Sequence, residues 1–239
     1  MNKKTIRNLL MCAAAVSTLA ACQTANSQKR PNASSMDQAL ERAANSAASK
    51  GNRGESVAIL EKMYKRDSSN PEAALKYAAA LREDGYTNRA AVVLAPFASE
   101  DPAAPGVKSE YSAIQLALGN YRPAEEYAKQ AILQDDKDYH AFHYLGIALD
   151  AQQKHPEAER AFRKGLEHWE GDPAPIMNNL ALNLATQGFV EESVEILQKA
   201  ASISPGREEI ERNLRIVMSI YQSDGKKALV PKPKAKPAT

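Results

Sequence analysis

The chain has 239 residues, a formal net charge of +2 and 44% hydrophobic residues, enough apolar material for one or two folded domains. Many of its basic residues lie at the two ends, in residues 1–7 and 226–236, so the region between them is net acidic. Net acidity excludes a nucleic-acid-binding surface of the usual electrostatic kind.

The first residues have the organisation of a secretory signal peptide. Three basic residues within residues 1–7 precede an apolar run from Leu9 to Ala21, which is too short to span a bilayer by itself. The run leads into Leu-Ala-Ala-Cys at residues 19–22, which resembles the bacterial lipobox. We therefore predict a lipoprotein signal peptide over residues 1–21.

The lipobox resemblance implies a membrane anchor at Cys22. In such proteins the cysteine becomes the first mature residue and carries lipid on its thiol and amine, which gives stable anchoring. Gln23 in place of an aspartate implies sorting to the outer membrane, with the body in the periplasm. Cys12 lies inside the apolar run, so the mature chain has no cysteine pair for a disulfide. The alternative is an ordinary signal peptide followed by a stray cysteine.

The segment from residue 37 to residue 207 repeats a pattern every 34 or 35 residues. The recurring turn positions are Gly51, Gly85, Gly119, Gln153 and Gly188. Small residues stand seven positions before each turn, at Ala44, Ala78, Ser112, Gly146 and Ala181, and five after it, at Ser56, Ala90, Ala124, Ala158 and Ser193. Such a period predicts stacked helix–turn–helix units. We expect the small residues to let two antiparallel helices approach closely, and the turn residue to be left-handed.

The fourth unit shows the clearest resemblance to a known family. Its Leu145-Gly146, Leu149, Ala158, Phe162 and Leu166 resemble the tetratricopeptide repeat (TPR). The resemblance implies an all-α TPR solenoid of about five repeats, at 37–70, 71–104, 105–138, 139–173 and 174–207. Five in-phase repeats disfavour the alternative, a helical bundle with chance periodicity. Helices of about 13 residues are marginal alone, so each repeat must stack on its neighbours.

Two irregularities interrupt the repeats. Pro96 falls late in the second helix of its repeat, where we expect it to kink or end the helix. An extra residue in the sequence at 169–175 predicts a longer loop before the fifth repeat, with Trp169 packed under it.

Three segments flank the repeats. Residues 22–36 are polar and small, which predicts a flexible tether. Residues 207–223 place Ile210, Leu214, Val217 and Met218 on one face, as expected of a helix that caps the array. Residues 224–239 are rich in lysine, proline and alanine, which predicts a disordered tail.

The sequence gives no support for catalysis or for a cofactor. It has no glycine-flanked nucleophile motif and no phosphate-binding glycine loop. His140 and His143 are three residues apart on a predicted helix, but no cysteine or paired carboxylate completes a metal site. We interpret them as surface histidines and predict a protein that is not an enzyme, with no cofactor and no metal.

The TPR resemblance implies a concave groove lined by the first helix of each repeat. The inner positions of the family correspond here to Glu41, Asn45, Leu75, Ala79, Arg82, Ser109, Ala113, Leu116, His143, Ile147, Asp150, Asn178, Leu182 and Ala185. Their mixture of apolar and polar side chains suits a bound helix or extended peptide. The residues expected to contact a protein partner are Asn45, Arg82, Leu116, His143, Ile147, Asp150, Asn178 and Leu182. The alternative is that they only pack or solvate the inner wall.

The chain as a whole, and residues 205–222 above all, resembles the TPR lipoproteins of tight-adherence (Flp/Tad) pilus systems, the TadD type. This resemblance implies a pilotin-like role, in which the lipid holds the protein at the membrane and the groove holds a secretin or other pilus component. One alternative is a type IV pilus pilotin or a component of the outer-membrane β-barrel assembly machine. Another is an adaptor for periplasmic cell-wall enzymes, whose basic tail would touch anionic wall or lipid.

Overall fold

The computed structural model describes residues 33–228, and all regular structure in that range is helical. The helices are α1 Ala33–Ser49, α2 Arg53–Arg66, α3 Pro71–Glu83, α4 Thr87–Ala98, α5 Val107–Ala117, α6 Tyr121–Gln134, α7 Tyr139–Ala151, α8 His155–Glu167, α9 Ala174–Thr186, α10 Val190–Ile203 and α11 Glu208–Ala228. Residues up to Leu40 cluster as a separate unit from Glu41 onward. The packing described below is that of the second unit.

The same tight turn joins the two helices of every pair. All five turn residues have a positive φ, which is 81° at Gly51, 84° at Gly85, 76° at Gly119, 63° at Gln153 and 92° at Gly188. The next residue donates its backbone N–H to the carbonyl five positions before it, as Tyr86 does to Leu81 at 2.8 Å and Phe189 to Leu184 at 2.9 Å. This bond satisfies a carbonyl that the helix end leaves open. The predicted left-handed turns are confirmed.

The small residues of each repeat face one another across the helix pair. All the small positions predicted from the sequence are buried. In two pairs a serine hydroxyl donates across the contact, from Ser112 to Ala124 O at 2.8 Å and from Ser193 to Ala181 O at 2.6 Å. At Gly146 a Cβ atom would overlap the ring of Phe162. The helices therefore approach so closely that a larger side chain does not fit, as predicted.

Larger apolar side chains fill the space between successive pairs. One buried cluster, which includes Phe162, Ile176 and Leu184, joins α7 and α8 to α9. Another joins α9 and α10 to α11 through Leu197, Ile210 and Val217, among others. α11 therefore covers the apolar end of the last pair, and the predicted all-α TPR solenoid with a capping helix is confirmed.

The array curves with its odd-numbered helices on the inside. α3, α5, α7 and α9 each contact the next odd-numbered helix with Cα atoms within 8 Å. Within the part of the chain that the structure describes, α4, α6, α8 and α10 make no such contact with one another. Because one layer is closer together than the other, the odd-numbered layer forms the inner side of the curve.

The structure corrects the predicted ends of the flanking segments. α1 begins at Ala33, so residues 33–36 of the predicted tether are helical, and α11 continues to Ala228, so residues 224–228 of the predicted tail are helical as well. No proline interrupts either stretch, and the single glycine costs a helix only about 1 kcal/mol. The signal peptide, Cys22 and the tail from residue 229 lie outside the described residues.

The repeats depart from regularity at Pro96 and in two loops between repeats. α4 continues through Pro96 and ends at Ala98. The loop that follows, residues 99–106, is longer than the predicted one at 168–173, because α5 starts only after Gly106, whose φ is 77°. None of the described helices combines the length and the apolar character of a membrane span.

The contact at Gly146 generates a stability prediction. We expect Gly146→Ala to destabilise the protein by about 1–3 kcal/mol, because the added methyl group displaces the Phe162 ring from a full core. Alanine is the better helix former by about 1 kcal/mol, so the sign of the effect tests the packing and not the propensity. Denaturant unfolding measures it.

The matched control is Gly54→Ala in α2. A Cβ at Gly54 meets no atom within 4 Å, so the substitution is expected to be neutral or stabilising. Equal effects at the two glycines would contradict the proposed close contact.

Candidate protein-binding face

The inner side of the odd-numbered helices is the one side of that layer left uncovered by packing. Each interior helix of the layer is flanked by its own even-numbered partner and by the odd-numbered helices before and after it. On α3, α7 and α9 the residues on the remaining side recur at spacings of four, three and four, and on α5 two such residues are seven positions apart. We call the following set the inner face: Glu72, Lys76, Ala79 and Glu83 of α3; Glu110 and Ala117 of α5; His140, Tyr144, Ile147 and Ala151 of α7; Pro175, Asn179, Leu182 and Thr186 of α9.

The residues predicted from the sequence are only partly brought together on this face. Ala79, Ile147 and Leu182 belong to it and are half-buried. Glu41, Leu75, Arg82, Leu116, Asp150 and Ala185 are also half-buried, whereas Asn45 on α1 is exposed and Ser109, Ala113, His143 and Asn178 are buried. Lys76, Glu110, Tyr144 and Asn179, which sequence reasoning missed, directly follow predicted inner positions. The four-three-four spacing is the signal that identifies them.

His143 and Asn178 are buried because they face the next helix of the inner layer. His143 is 9% exposed and Asn178 is 2% exposed. Asn179 Nδ2 lies 2.9 Å from His143 Nε2, and Asn213 Nδ2 donates to Asn178 Oδ1 at 2.9 Å. These side chains connect α7, α9 and α11. The interpretation of His143 as a surface residue was wrong.

The buried environment keeps His143 neutral at pH 7. Burial, and to a smaller extent the charge of His140, lowers the pKa of His143 to about 4. A neutral imidazole has one acceptor nitrogen, and Nε2 takes that role toward the Asn179 amide.

Asp150 likewise takes part in a structural contact. Its Oδ1 accepts from Asn183 Nδ2 at 2.6 Å and lies 2.7 Å from His155 Nδ1. Asn183 is fully buried and also donates to His155 O at 3.1 Å. Asp150 therefore ties the ends of α7 and α9 to the start of α8.

The inner face is charged on α3 and α5. Arg82 Nε donates to Glu110 Oε1 at 2.6 Å and Arg82 Nη2 donates to Glu110 Oε2 at 3.3 Å. Burial by itself lowers the pKa of Arg82, but its bonds with Glu110 more than offset this. Burial raises the pKa of Glu110, and its hydrogen bond with Arg82 opposes that rise. Lys76 lies 2.7 Å from carboxylate oxygens of both Glu41 and Glu72.

The inner face is uncharged on α7 and α9 at neutral pH. Its half-buried residues there are Tyr144, Ile147, Pro175, Asn179 and Leu182. Burial raises the pKa of Tyr144 to about 12, so its phenol is protonated and can donate a hydrogen bond. Trp169 stands beside this half, with its ring centroid 5.7 Å from that of His140, and its Nε1 donates to Asp172 O as expected of a residue packed under the loop.

The chemistry of this face is that of binding. It offers apolar surface from α7 and α9, hydrogen-bonding groups from Asn179 and Tyr144, and charge from α3 and α5. Among the side chains that the structure describes, residues 35–222, no three histidine, cysteine or acidic groups lie together so that they could hold a metal ion.

Comparisons with known proteins agree with the fold. Residues 176–204 match the tetratricopeptide repeat family. No curated protein matches the sequence significantly. A thermophilic TPR protein of Thermus thermophilus superposes with a TM-score of 0.68 at 18% identity, covering 77% of this chain and 99% of that one.

Two other solved structures are similar at lower identity. A chain of the APC/C hetero-tetramer Cut9–Hcn1 has a TM-score of 0.71 at 14% identity, over 79% of this chain and 38% of that one. MamA of Desulfovibrio magneticus has a TM-score of 0.54 at 16% identity, over 72% of this chain and 97% of that one. At these identities the likeness shows the TPR fold alone.

The burial of His143 generates a prediction for the pH dependence of stability. Its pKa is about 4 in the folded state and about 6.5 in the unfolded chain, so the unfolded state binds the proton more readily. The contribution of His143 to the unfolding free energy is complete above pH 6.5. About 3 kcal/mol of this contribution is lost as the pH falls toward 4. We expect His143→Gln to flatten the dependence of the unfolding free energy on pH in this window.

His168→Gln is the control, because His168 lies outside the hydrogen bonds between α7, α9 and α11. Between pH 6.5 and 4, the unfolding free energy of His168→Gln is expected to depend on pH as steeply as that of the native protein. An unchanged slope in His143→Gln would show that His143 is not held in its neutral form.

Proposed function

We propose that the chain is a lipid-anchored scaffold of the outer membrane that holds a segment of a secretin, or of another Flp/Tad pilus component, on its inner face. The TPR fold itself suggests a protein–protein interaction scaffold. The observation that carries the proposal is the division of the inner face into an uncharged half with apolar surface and a charged half. A folded array that only needed to be soluble would not require the apolar half to be accessible.

The inner face favours a peptide segment of mixed character. On α7 and α9, Tyr144, Ile147 and Leu182 offer apolar contact, and Asn179 can bond a peptide group. The charged half has the carboxylates of Glu41, Glu72, Glu83 and Glu110 against the cations of Lys76 and Arg82. Its acidic excess favours a segment that is apolar at one end and basic at the other.

The chain between the proposed anchor and the first described helix is short. The residues from Cys22 to the start of α1 at Ala33 span at most about 35 Å when extended. A lipid on Cys22 would therefore keep the array near the membrane, where a secretin inserts. The resemblance of residues 19–22 to a lipobox supports this part of the proposal.

The inner face is tested by crosslinking and pull-down from membranes of the native bacterium. Ala151→Arg with Thr186→Arg places two cations on the uncharged half, at exposed positions that leave the core intact. We expect recovery of the secretin or other pilus component to fall by at least about tenfold, because a buried unpaired charge costs well over 1.4 kcal/mol.

The matched control is Val92→Arg with Leu133→Arg. These residues are 76% and 87% exposed on α4 and α6, outside the inner face, and the charge change is the same. Equal recovery with both double variants would disprove binding at the inner face. Recovery of β-barrel assembly or cell-wall proteins in place of pilus components would disprove the pilus assignment and leave the scaffold.

The anchor is tested separately with Cys22→Ser. Without the thiol no lipid is attached, so the protein is expected to move from the membrane fraction to the soluble periplasmic fraction and to lose incorporation of labelled palmitate. An unchanged membrane fraction would contradict the anchor without bearing on the inner face.

A further inference from the structure

A second groove lies on the outer side of the array, between α8 and α10. It has a volume of about 480 Å³ and an apolar lining that includes Leu166, Met177 and Ile196. A hollow of about 380 Å³ extends it past the start of α10, beside Phe189, which is 53% exposed. The two share Glu192 and Glu195 of α10 in their linings, and we call them together the outer groove.

The loop at 168–173 gives the outer groove a fixed wall. Trp169 Nε1 donates to Asp172 O at 2.9 Å, and Asp172 Oδ2 accepts from Ser204 Oγ at 2.7 Å and Arg207 Nη2 at 3.0 Å. The loop is thus tied to both ends of the connection between α10 and α11. Trp169 lines the groove from this loop, so the wall exists without a bound ligand.

The outer groove is acidic near the start of α10, whereas Lys199 lines it further along the same helix. Glu191, Glu192 and Glu195 line the hollow near the start of the helix, and Glu191 and Glu195 are exposed. Glu192 is paired with Arg163 at 2.8 Å, which leaves the other two carboxylates to attract a basic ligand.

The sequence after α11 has the complementary chemistry. Residues 229–239 read LVPKPKAKPAT, with lysines at 232, 234 and 236 and prolines at 231, 233 and 237. Prolines favour an extended chain in advance, which reduces the entropy lost on binding in an apolar groove with an aromatic wall.

The segment has the length to reach the outer groove within the same molecule. α10 and α11 are joined by four residues and run antiparallel, so the end of α11 lies at the same end of the array as the start of α10. α11 has 21 residues against 14 in α10, so it extends about 10 Å beyond it at 1.5 Å per residue. Eleven further residues span about 34 Å when extended, enough to return to Phe189 and continue past Glu195.

We propose that residues 229–239 bind in cis in the outer groove, with Leu229 and Val230 against Phe189 and the three lysines beside Glu191, Glu192 and Glu195. The inner face and the outer groove lie on opposite layers of the array, so this contact leaves the inner face free. A basic, proline-containing partner segment would compete with the tail for the outer groove.

The test is carbodiimide crosslinking of the purified chain from residue 23, which joins lysines to carboxylates in contact, followed by mass spectrometry. We expect amide bonds from Lys232, Lys234 or Lys236 to Glu191 or Glu195. An equal mixture of ¹⁵N-labelled and unlabelled protein distinguishes bonds within one chain from bonds between copies.

Glu191→Lys with Glu195→Lys is expected to reduce crosslinking of the tail lysines to the remaining Glu192 about tenfold, because the exposed ion pairs are replaced by repulsion. Glu100→Lys with Glu126→Lys is the matched control, at acidic positions near α4 and α6, and should leave the yield unchanged. Bonds only between copies, bonds mainly to other acidic residues, or equal yields in the two variants would overturn the proposal.

Discussion

The close contact between the two helices of each repeat is the constraint on which the rest of the structure depends. Small residues at two fixed positions bring the helix axes together, and in two repeats a serine bonds a carbonyl across the contact. Close approach inside each pair makes the pairs nearly identical units, and identical units stack with a constant rotation. The curvature, and with it an inner layer of odd-numbered helices, follows from this repetition.

The inner layer combines structural and accessible polar groups. Residues that point sideways, toward the next helix of the layer, are hydrogen-bonded, as Asn178 and Asp150 are, and Asn178 is also buried. Residues one step further along the helix point into the open side and keep part of their surface, as Tyr144 and Asn179 do. A rotation of about 100° around the helix thus separates the two roles.

The fold could be predicted from the sequence because its signals are local and repeated. The turn residues and the small pairs recur every 34 or 35 residues, and each has one physical explanation. The binding face was harder to predict, because its accessible residues directly follow buried polar residues in the sequence. Only the contacts of His143 and Asn178 with the next helices show that they are buried, and those contacts join residues about 35 positions apart. The start of α1 and the end of α11 were also not predicted, because the sequences there resemble linkers in composition.

The hydrogen bonds that connect α7, α9 and α11 also determine the order of stacking. Repeats of one period present similar apolar surfaces, so an array of them can in principle stack out of sequence during folding. A histidine meets an asparagine at one junction, and two asparagines meet at the next. If α11 docked one repeat too early, Asn178 would lose its partner Asn213, and an unsatisfied buried amide costs about 1–3 kcal/mol. These few polar side chains thus discriminate the native neighbour from an equally apolar wrong one, in the way that a single polar residue fixes the register of a coiled coil.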